Sequence, residues 1–315
     1  MQPSPPRIPE PVYDAERHSY PVAGKKVKYR IIAQALGARA CYSSHEPPSG
    51  SGHALTAHGP DDRHSSMSRR NVIGILGGMG PAATVDFYQK IIRATPAKSD
   101  QDHLQVLIYS NPQVPDRTAA ILGEGPDPLP VLVAGAELLV RGGADLITIP
   151  CVTAHYFYDA LQRAIAVPIL HLVGETLTAI LARYPGVRRV GILATTGTLQ
   201  ARLFDAYFEP RGLELLRPDP EVQAAVVMES IYRVKAEGAH PALQQRLRDA
   251  AEHLLHRGAE IIVAGCTEVP LLLQDGDVSI PVVDATLVLA EAAVRAALAG
   301  ELPPGTPSQR CFKDR

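Results

Sequence analysis

The chain has 315 residues, a net charge of −2 and 46% hydrophobic residues, which are values typical of a globular protein of about two domains. The small net charge excludes a general electrostatic affinity for nucleic acid, and no apolar run approaches the roughly 18 residues of a membrane helix. Four cysteines are too few for a disulfide framework in a chain of this length. The Pro-rich start lacks the apolar core of a secretory signal, so we expect a cytoplasmic protein.

Residues 1–66 have the composition of a loop almost throughout, and their one apolar cluster runs from Tyr29 to Leu36. Such a segment cannot bury enough apolar surface to offset the entropy lost on ordering. We therefore predict that it is mostly disordered, with one short helix near Ile31. Because Met67 stands just before the first predicted strand, our hypothesis is that residues 1–66 lie outside the functional protein.

From Asn71 onward, short apolar runs alternate with stretches of helical periodicity. The predicted strands are, in chain order, NVIGILGG, LQVLIYS, ADLITIP, RRVGILA, GLELLRP, AEIIVAG and IPVV. The clearest predicted helices cover residues 82–93, 128–141, 153–165 and 285–298. Strands of about six residues that alternate with helices predict parallel sheets with crossover helices. The fold class is therefore α/β.

The two halves of this region repeat each other. RRVGILA in the second half is similar to NVIGIL in the first, and RGAEIIVAGC is similar to RGGADLITIPC. The chain length from Gly74 to Cys151 is nearly equal to that from Gly191 to Cys266. This echo indicates a tandem duplication. We predict a first domain at residues 71–173 plus 285–300, a second at 174–284 and a flexible tail at 301–315, with the last helix packing back on the first domain.

The echo places Cys151 and Cys266 after corresponding strands, and ligands bind outside the carboxyl ends of parallel strands. Each cysteine precedes a predicted helix start, where a helix N-terminus would lower the thiol pKa. If the two domains face each other about a pseudo-twofold axis, the thiols flank one ligand in the cleft between them. That arrangement suits removal of a proton from one face of a carbon and delivery to the other. The alternative is that both cysteines are small buried apolar residues.

Seven motifs in register resemble the aspartate/glutamate racemase family, specifically its aspartate racemase branch. They are VIGILGGMGPAAT, DQDH, SNPQVPDRTAAIL, IPCVTAH, VGILATTGT, MESIYRVKAEG and AGCTE, and together they extend from Asn71 to Leu298. The resemblance implies two Rossmann-like domains, a two-base mechanism without pyridoxal phosphate or any other cofactor, and a homodimer. It also implies that the small-molecule substrate is an acidic amino acid, most simply aspartate, with glutamate or a broader range left open.

The resemblance assigns roles residue by residue. Cys151 and Cys266 match the acid/base groups of the two domains, and Arg117 and Lys235 match the cations that contact the distal carboxylate of the substrate. A guanidinium is suited to a bidentate grip on a carboxylate. The other positions that match the substrate-binding residues are Met79, Gly80, Thr153, Thr195, Thr196, Thr198 and Thr267. For the threonines, helix capping is an equal alternative to substrate contact.

Val152 departs from the family pattern, which has Asn directly after the first catalytic cysteine. A valine side chain cannot bind the α-carboxylate or the α-amino group, so the rate and the identity of the substrate are open. Backbone N–H groups at this position still favour an anion. Both acid/base cysteines are retained.

Two cofactor classes are disfavoured by the sequence. Residues 78–83 satisfy the G-x-G-x-x-A pattern of dinucleotide sites, but the next strand ends at Ser110, where an acidic residue should hold the ribose. Cys151 and His155 suggest a metal site, yet Cys266 has no ligand at the usual spacing. We expect His155 to support the Cys151 loop and we predict no metal and no cofactor.

Three other functions stay open at this stage. A hydrolase with a nucleophilic cysteine would need a histidine base beside one thiol and would not need the second thiol. A related isomerase or decarboxylase would use the cysteines on small dicarboxylates. A binding protein for acidic amino acids would have lost catalysis through Val152, and its ligand would still raise the melting temperature.

Overall fold

The computed structural model describes residues 70–300 of the chain. The predicted disorder of residues 1–66, the short helix near Ile31 and the predicted tail at 301–315 lie outside the described residues. The described part is an α/β structure with parallel sheets, so the predicted fold class is confirmed. The domain boundaries given above stay predictions.

Two parallel sheets follow each other along the chain. The first has three strands in the order β2–β1–β3, and the second has four in the order β5–β4–β6–β7. Every strand pair in both sheets is parallel. The strands are β1 Ile73–Gly77, β2 Val106–Ser110, β3 Leu146–Thr148, β4 Arg189–Leu193, β5 Glu214–Leu216, β6 Ile261–Ala264 and β7 Val282–Asp284.

Helices connect the strands and cover the sheets. They are α1 Pro81–Ala94, α2 Arg117–Leu122, α3 Leu129–Arg141, α4 Tyr158–Ala164, α5 Leu172–Arg183, α6 Thr196–Gln200, α7 Asp205–Phe208, α8 Pro220–Val222, α9 Glu229–Glu237, α10 Pro241–His256 and α11 Ala285–Ala299. A π-helical segment, Gln223–Met228, joins α8 to α9. Within residues 70–300, every helix is too short or too polar to cross a bilayer.

The sequence echo is repeated in the contacts of the two sheets. Gly74 of β1 pairs with Ile147, and Gly191 of β4 pairs with Ile262. A Cβ atom on either glycine would lie closer than 3.0 Å to a neighbouring side chain, at 2.9 Å for Gly74 and 2.6 Å for Gly191. At Gly74 the nearest atom is the Cβ of Ala144, which cannot turn away, so this position needs glycine. At Gly191 the nearest atom is the terminal methyl group of Ile262, which a larger residue would have to displace.

Acidic side chains anchor the two sheets in the same way. Asp145 Oδ2 accepts a hydrogen bond from the N–H of Val72 at 2.7 Å, before β1. Glu260 Oε2 accepts one from the N–H of Arg189 at 3.0 Å, at the start of β4. Because Asp145 and Glu260 stand equally far before the two cysteines, each half brings its cysteine to the same place relative to its sheet.

Helix α11 ties the second half to the first. It begins after Asp284, whose Oδ1 accepts hydrogen bonds from the N–H groups of Thr286 and Leu287. The buried Lys90 of α1 places its Nζ 2.6 Å from Asp284 Oδ2 and 2.7 Å from Thr286 Oγ1. Residues 70–300 accordingly belong to one compact unit, in which α11 packs on α1 and α5.

Candidate active site

The thiols of Cys151 and Cys266 line the same cavity. Cys151 follows β3 and Cys266 follows β6, at the carboxyl ends of corresponding strands. Each residue is 5% exposed, and both thiols are free. The cavity between the two halves measures about 20 Å³, which is room for one water-sized group. Two groups able to hold or release a proton therefore border one small space.

Most of the predicted site residues border this cavity. Eight of them line it: Met79, Arg117, Cys151, Thr153, Thr195, Lys235, Cys266 and Thr267. Gly80, Thr196 and Thr198 do not. The N–H of Gly80 donates to Glu268, Thr196 Oγ1 accepts from Gln223, and Thr198 supports the hydroxyl groups of its neighbours.

Glu268 is a functional candidate that the sequence interpretation missed. Its side chain is buried and lines the cavity beside Cys266. Glu268 Oε2 accepts hydrogen bonds from Cys266 Sγ at 3.0 Å and from Thr267 Oγ1 at 3.1 Å. Its Oε1 lies 3.7 Å from Lys235 Nζ and accepts from the N–H of Gly80 at 3.2 Å. The carboxylate thus fixes the orientation of the Cys266 thiol and joins it to residues from both halves.

The environment of Cys266 favours the neutral thiol. Burial raises its pKa well above the ordinary value, the negative charge of Glu268 raises it further, and Lys235 acts in the opposite direction. The expectation that a helix N-terminus lowers the thiol pKa is therefore wrong for Cys266. The residues after it form only a 3₁₀ turn, Val269–Leu271, which offers little helix dipole to a thiolate.

We expect Glu268→Gln to lower the pKa of the Cys266 thiol, because an amide carries no charge that opposes a thiolate. Burial keeps that pKa above its ordinary value even in the variant. Alkylation by iodoacetamide across a pH series, read by mass spectrometry of the Cys266 peptide, measures the shift. Glu252→Gln, on an exposed position of α10, is the matched control. An unchanged profile in Glu268→Gln would contradict the electrostatic coupling.

Arg117 is the buried cation that the first half contributes to the cavity. It is the first residue of α2, and its Nη1 donates to the carbonyl oxygens of Val114 at 3.1 Å and Pro115 at 3.0 Å. The buried Nε has no protein partner. Burial acts to lower the pKa of Arg117, but the charges of Cys151 and Asp116 outweigh it and raise the pKa above the ordinary value. The guanidinium is held charged, with donor capacity left for a ligand.

Lys235 is the cation that the second half contributes to the cavity. It lies on α9 with its side chain 28% exposed, and it borders the same cavity as Arg117. Burial acts to lower the pKa of Lys235, whereas the charges of Glu268 and the two cysteines raise it, and the net change is upward. Both cations therefore keep their charge at neutral pH.

Three threonine hydroxyls meet where the halves join. Thr153 Oγ1 lies 2.9 Å from Thr195 Oγ1 and 3.0 Å from Thr198 Oγ1. Thr195 also caps α6 by accepting from the N–H of Thr198 at 3.2 Å. The capping alternative therefore holds for Thr195, which lines the cavity as well. Buried hydroxyls that already bond to one another can turn their hydrogens toward an anion without rearranging the backbone.

His155 holds the Cys151 loop in place. Its Nδ1 lies 2.9 Å from the carbonyl oxygen of Cys151, and its Nε2 accepts from the N–H of Leu172 at 3.1 Å. Burial lowers the pKa of His155, so the ring is neutral, with its hydrogen on Nδ1. Because backbone groups occupy both nitrogens, this ring is not the base that a cysteine hydrolase requires. Residues 70–300 contain no cluster of three or more metal-ligating side chains.

The chain is similar to proteins of one family across most of its described length. The family model for Asp/Glu/hydantoin racemases matches residues 76–293. The broad specificity amino-acid racemase RacX of Bacillus subtilis is 32% identical over 234 residues, which cover 72% of this chain and 99% of that protein. A glutamate racemase of Deinococcus radiodurans is 35% identical over 140 residues, covering 42% of this chain and 45% of its own length.

Solved structures share the fold. The aspartate racemase of Picrophilus torridus matches with a TM-score of 0.62 and 28% identity, covering 72% of this chain and 94% of its own. An aspartate racemase homologue from Pyrococcus horikoshii matches with a TM-score of 0.59 and 28% identity, covering 72% of this chain and 99% of its own.

Proposed function

The chain belongs to the Asp/Glu/hydantoin racemase family and is an amino-acid racemase, and we propose that it interconverts L- and D-aspartate, or glutamate, without a cofactor. The observation that carries this proposal is the pair of buried thiols on one cavity, each from the corresponding position of a repeated half. The solved relatives named aspartate racemase support aspartate, and the curated relatives extend the range to glutamate and to broad specificity.

The proposed reaction inverts the α-carbon by two proton transfers. One cysteine, as thiolate, removes the α-proton from one face, and the other, as thiol, donates a proton to the opposite face. In the reverse direction the two residues exchange roles, so each enantiomer has its own base. The hydrogen bond from the Cys266 thiol to Glu268 supports this scheme, because the carboxylate favours the protonated thiol, which is the form that donates.

The charged groups around the thiols suit an acidic amino acid. Arg117 and Lys235 border the cavity and would bind the distal carboxylate, with Arg117 Nε available for a hydrogen bond. Thr153 and Thr195 would donate to the α-carboxylate, where charge develops when the α-proton leaves. Donors fixed in a site that excludes water stabilise such charge more strongly than the same donors in water.

Substrate entry requires the cavity to expand. About 20 Å³ holds one water-sized group, whereas an amino acid is several times larger. Helix α9 supplies Ile231, Tyr232 and Lys235 to the cavity wall, and it follows the π-helical segment Gln223–Met228. Single π-helical turns are frequent at functional sites. We therefore expect the segment Gln223–Met228 to move when the substrate enters, and α9 to move with it.

Incubation of the purified chain with separate L and D amino acids tests the proposed function. We expect L- and D-aspartate to converge on a racemic mixture, read by chiral chromatography, with solvent deuterium appearing at the α-carbon. Release of a new product would favour a hydrolase or a decarboxylase. A rise in melting temperature with aspartate but no deuterium uptake would identify a binding protein and refute the proposal.

A further inference from the structure

We propose that Gly197 is a positioning residue that sets how closely the two halves approach each other at the cavity, and that this spacing favours aspartate over the longer glutamate. The inference rests on the proposed function. Gly197 is buried in α6 of the second half, and it faces Thr118 of α2 in the first half. Thr118 also lines the cavity between the thiols.

The contact between α6 and α2 leaves no room for a side chain on Gly197. A Cβ atom there would lie 2.8 Å from Thr118 Oγ1 and 2.9 Å from Thr118 Cα. The hydroxyl group could rotate away, but the Cα atom can move only together with the backbone of α2. Carbon atoms in ordinary contact are about 3.5 to 4.0 Å apart, so alanine at position 197 would separate the two helices by about 0.6 to 1.1 Å.

Backbone conformation does not explain this glycine. Within residues 70–300, Gly197 is not one of the glycines with a positive φ, and it lies inside α6, where alanine would be the more stable residue. Gly174 of α5 provides a comparison, because a Cβ atom there would be in ordinary contact with Tyr207 Cε1 at 3.4 Å. The close approach of α6 to α2 is therefore what requires glycine at position 197.

The contact joins the groups that would hold the two ends of the substrate. Arg117 directly precedes Thr118 and would bind the distal carboxylate, and Thr195, two residues before Gly197, would donate to the α-carboxylate. Thr195 Oγ1 lies 2.9 Å from Thr153 Oγ1 of the first half, so a hydrogen bond also holds the halves together here. Separation of α2 from α6 would consequently lengthen the distance between the two carboxylate-binding groups.

The expected displacement is close to the difference in length between the two acidic substrates. Glutamate has one methylene group more than aspartate, and a carbon–carbon bond is about 1.5 Å long. A separation of about 1 Å would therefore move the binding groups towards the spacing that suits glutamate. For aspartate, which would no longer reach both groups, a misplacement of this size costs up to about 100-fold in rate.

The variant Gly197→Ala tests the inference with L-aspartate and L-glutamate as separate substrates of the full chain. We expect the ratio of kcat/KM for aspartate over glutamate to fall by about tenfold or more, read by deuterium uptake at the α-carbon. Gly174→Ala, the same change in another helix, is the control and should leave the ratio unchanged. Equal losses for the two substrates in Gly197→Ala would overturn the inference and leave the proposed function standing.

Binding of two dicarboxylates provides a second arm that depends neither on turnover nor on the folding of the variant. Succinate and glutarate have the carboxylate spacings of aspartate and glutamate, and titration calorimetry measures their dissociation constants. We expect the unaltered chain to bind succinate about tenfold more tightly, because glutarate would have to bend or leave one carboxylate imperfectly paired. Equal affinities would overturn the inference. Tighter binding of succinate without deuterium exchange into either amino acid would refute the proposed function and support the spacing.

Discussion

Replacement of Cys151 or Cys266 by alanine is expected to reduce aspartate racemisation by about 10²- to 10⁴-fold, the contribution of one positioned acid or base. Both thiols are needed in each direction, because the proton removed from one face of the α-carbon is not the one delivered to the other. The fold should tolerate either change, since alanine is smaller than cysteine and both residues border a cavity. Initial rates from each enantiomer, followed by circular dichroism, measure the loss.

Isotope exchange separates the two thiols. In Cys266→Ala, the remaining thiol should still exchange the α-hydrogen of one enantiomer with solvent deuterium, without inverting it. Cys151→Ala should do the same for the other enantiomer. Cys41→Ala and Cys311→Ala are the matched controls, because both residues lie outside the matched region 76–293, and they should keep full activity. Full racemisation in either site variant would contradict the two-base scheme.

The fold class can be predicted from the sequence for two reasons. The alternation of apolar runs and helical stretches is visible locally, and the internal repeat covers the whole length of each half. The strands before Cys151 and Cys266 are short and fully buried, which is typical of parallel strands covered on both faces. The glycine in each opening strand and the acidic residue six positions before each cysteine recur in both halves. Each glycine leaves room for a neighbouring side chain, and each acidic residue accepts a backbone hydrogen bond beside the opening strand of its half.

The sequence predicts the site less completely, because burial and side-chain direction are tertiary properties. Glu268 stands two residues after Cys266, in a motif that already supports the resemblance. The sequence pattern does not indicate that its carboxylate points back to the Cys266 thiol. The only local signal is an acidic residue in an otherwise apolar stretch. Thr196 and Thr198 show the converse, because they share a motif with Thr195 but only Thr195 reaches the cavity.

The thiol pKa illustrates a physical reason for a wrong prediction. A helix start after a strand favours a thiolate only if a regular helix follows with free N–H groups aimed at the sulfur. The segments that follow the two cysteines are 3₁₀ turns, Thr153–Phe157 and Val269–Leu271. For Cys266, burial and the adjacent Glu268 then decide the direction. Desolvation and a neighbouring charge depend on the assembled cavity, which no local pattern specifies.

Arg117→Ala is expected to reduce kcat/KM for aspartate by about 10- to 150-fold, the range that corresponds to a hydrogen bond to a charged group. The loss for norleucine should be smaller, because its side chain has no carboxylate to pair with the guanidinium. Part of the loss will be common to both substrates, since Arg117 also donates to the carbonyl oxygens of Val114 and Pro115. The informative quantity is therefore the ratio of kcat/KM for aspartate over norleucine, measured on the same preparations.

A matched control separates loss of the contact from loss of a positive charge on the protein. Arg141 of α3 is exposed and pairs with Glu137 one turn away, so Arg141→Ala should leave the substrate ratio unchanged. Arg117→Lys keeps the charge but loses the planar fork, and it should recover part of the aspartate activity. Equal losses for aspartate and norleucine in Arg117→Ala would show that this residue shapes the loop but does not recognise the distal carboxylate. Lys235 would then be the residue that binds the distal carboxylate, and its Nζ already lies 3.7 Å from Glu268 Oε1.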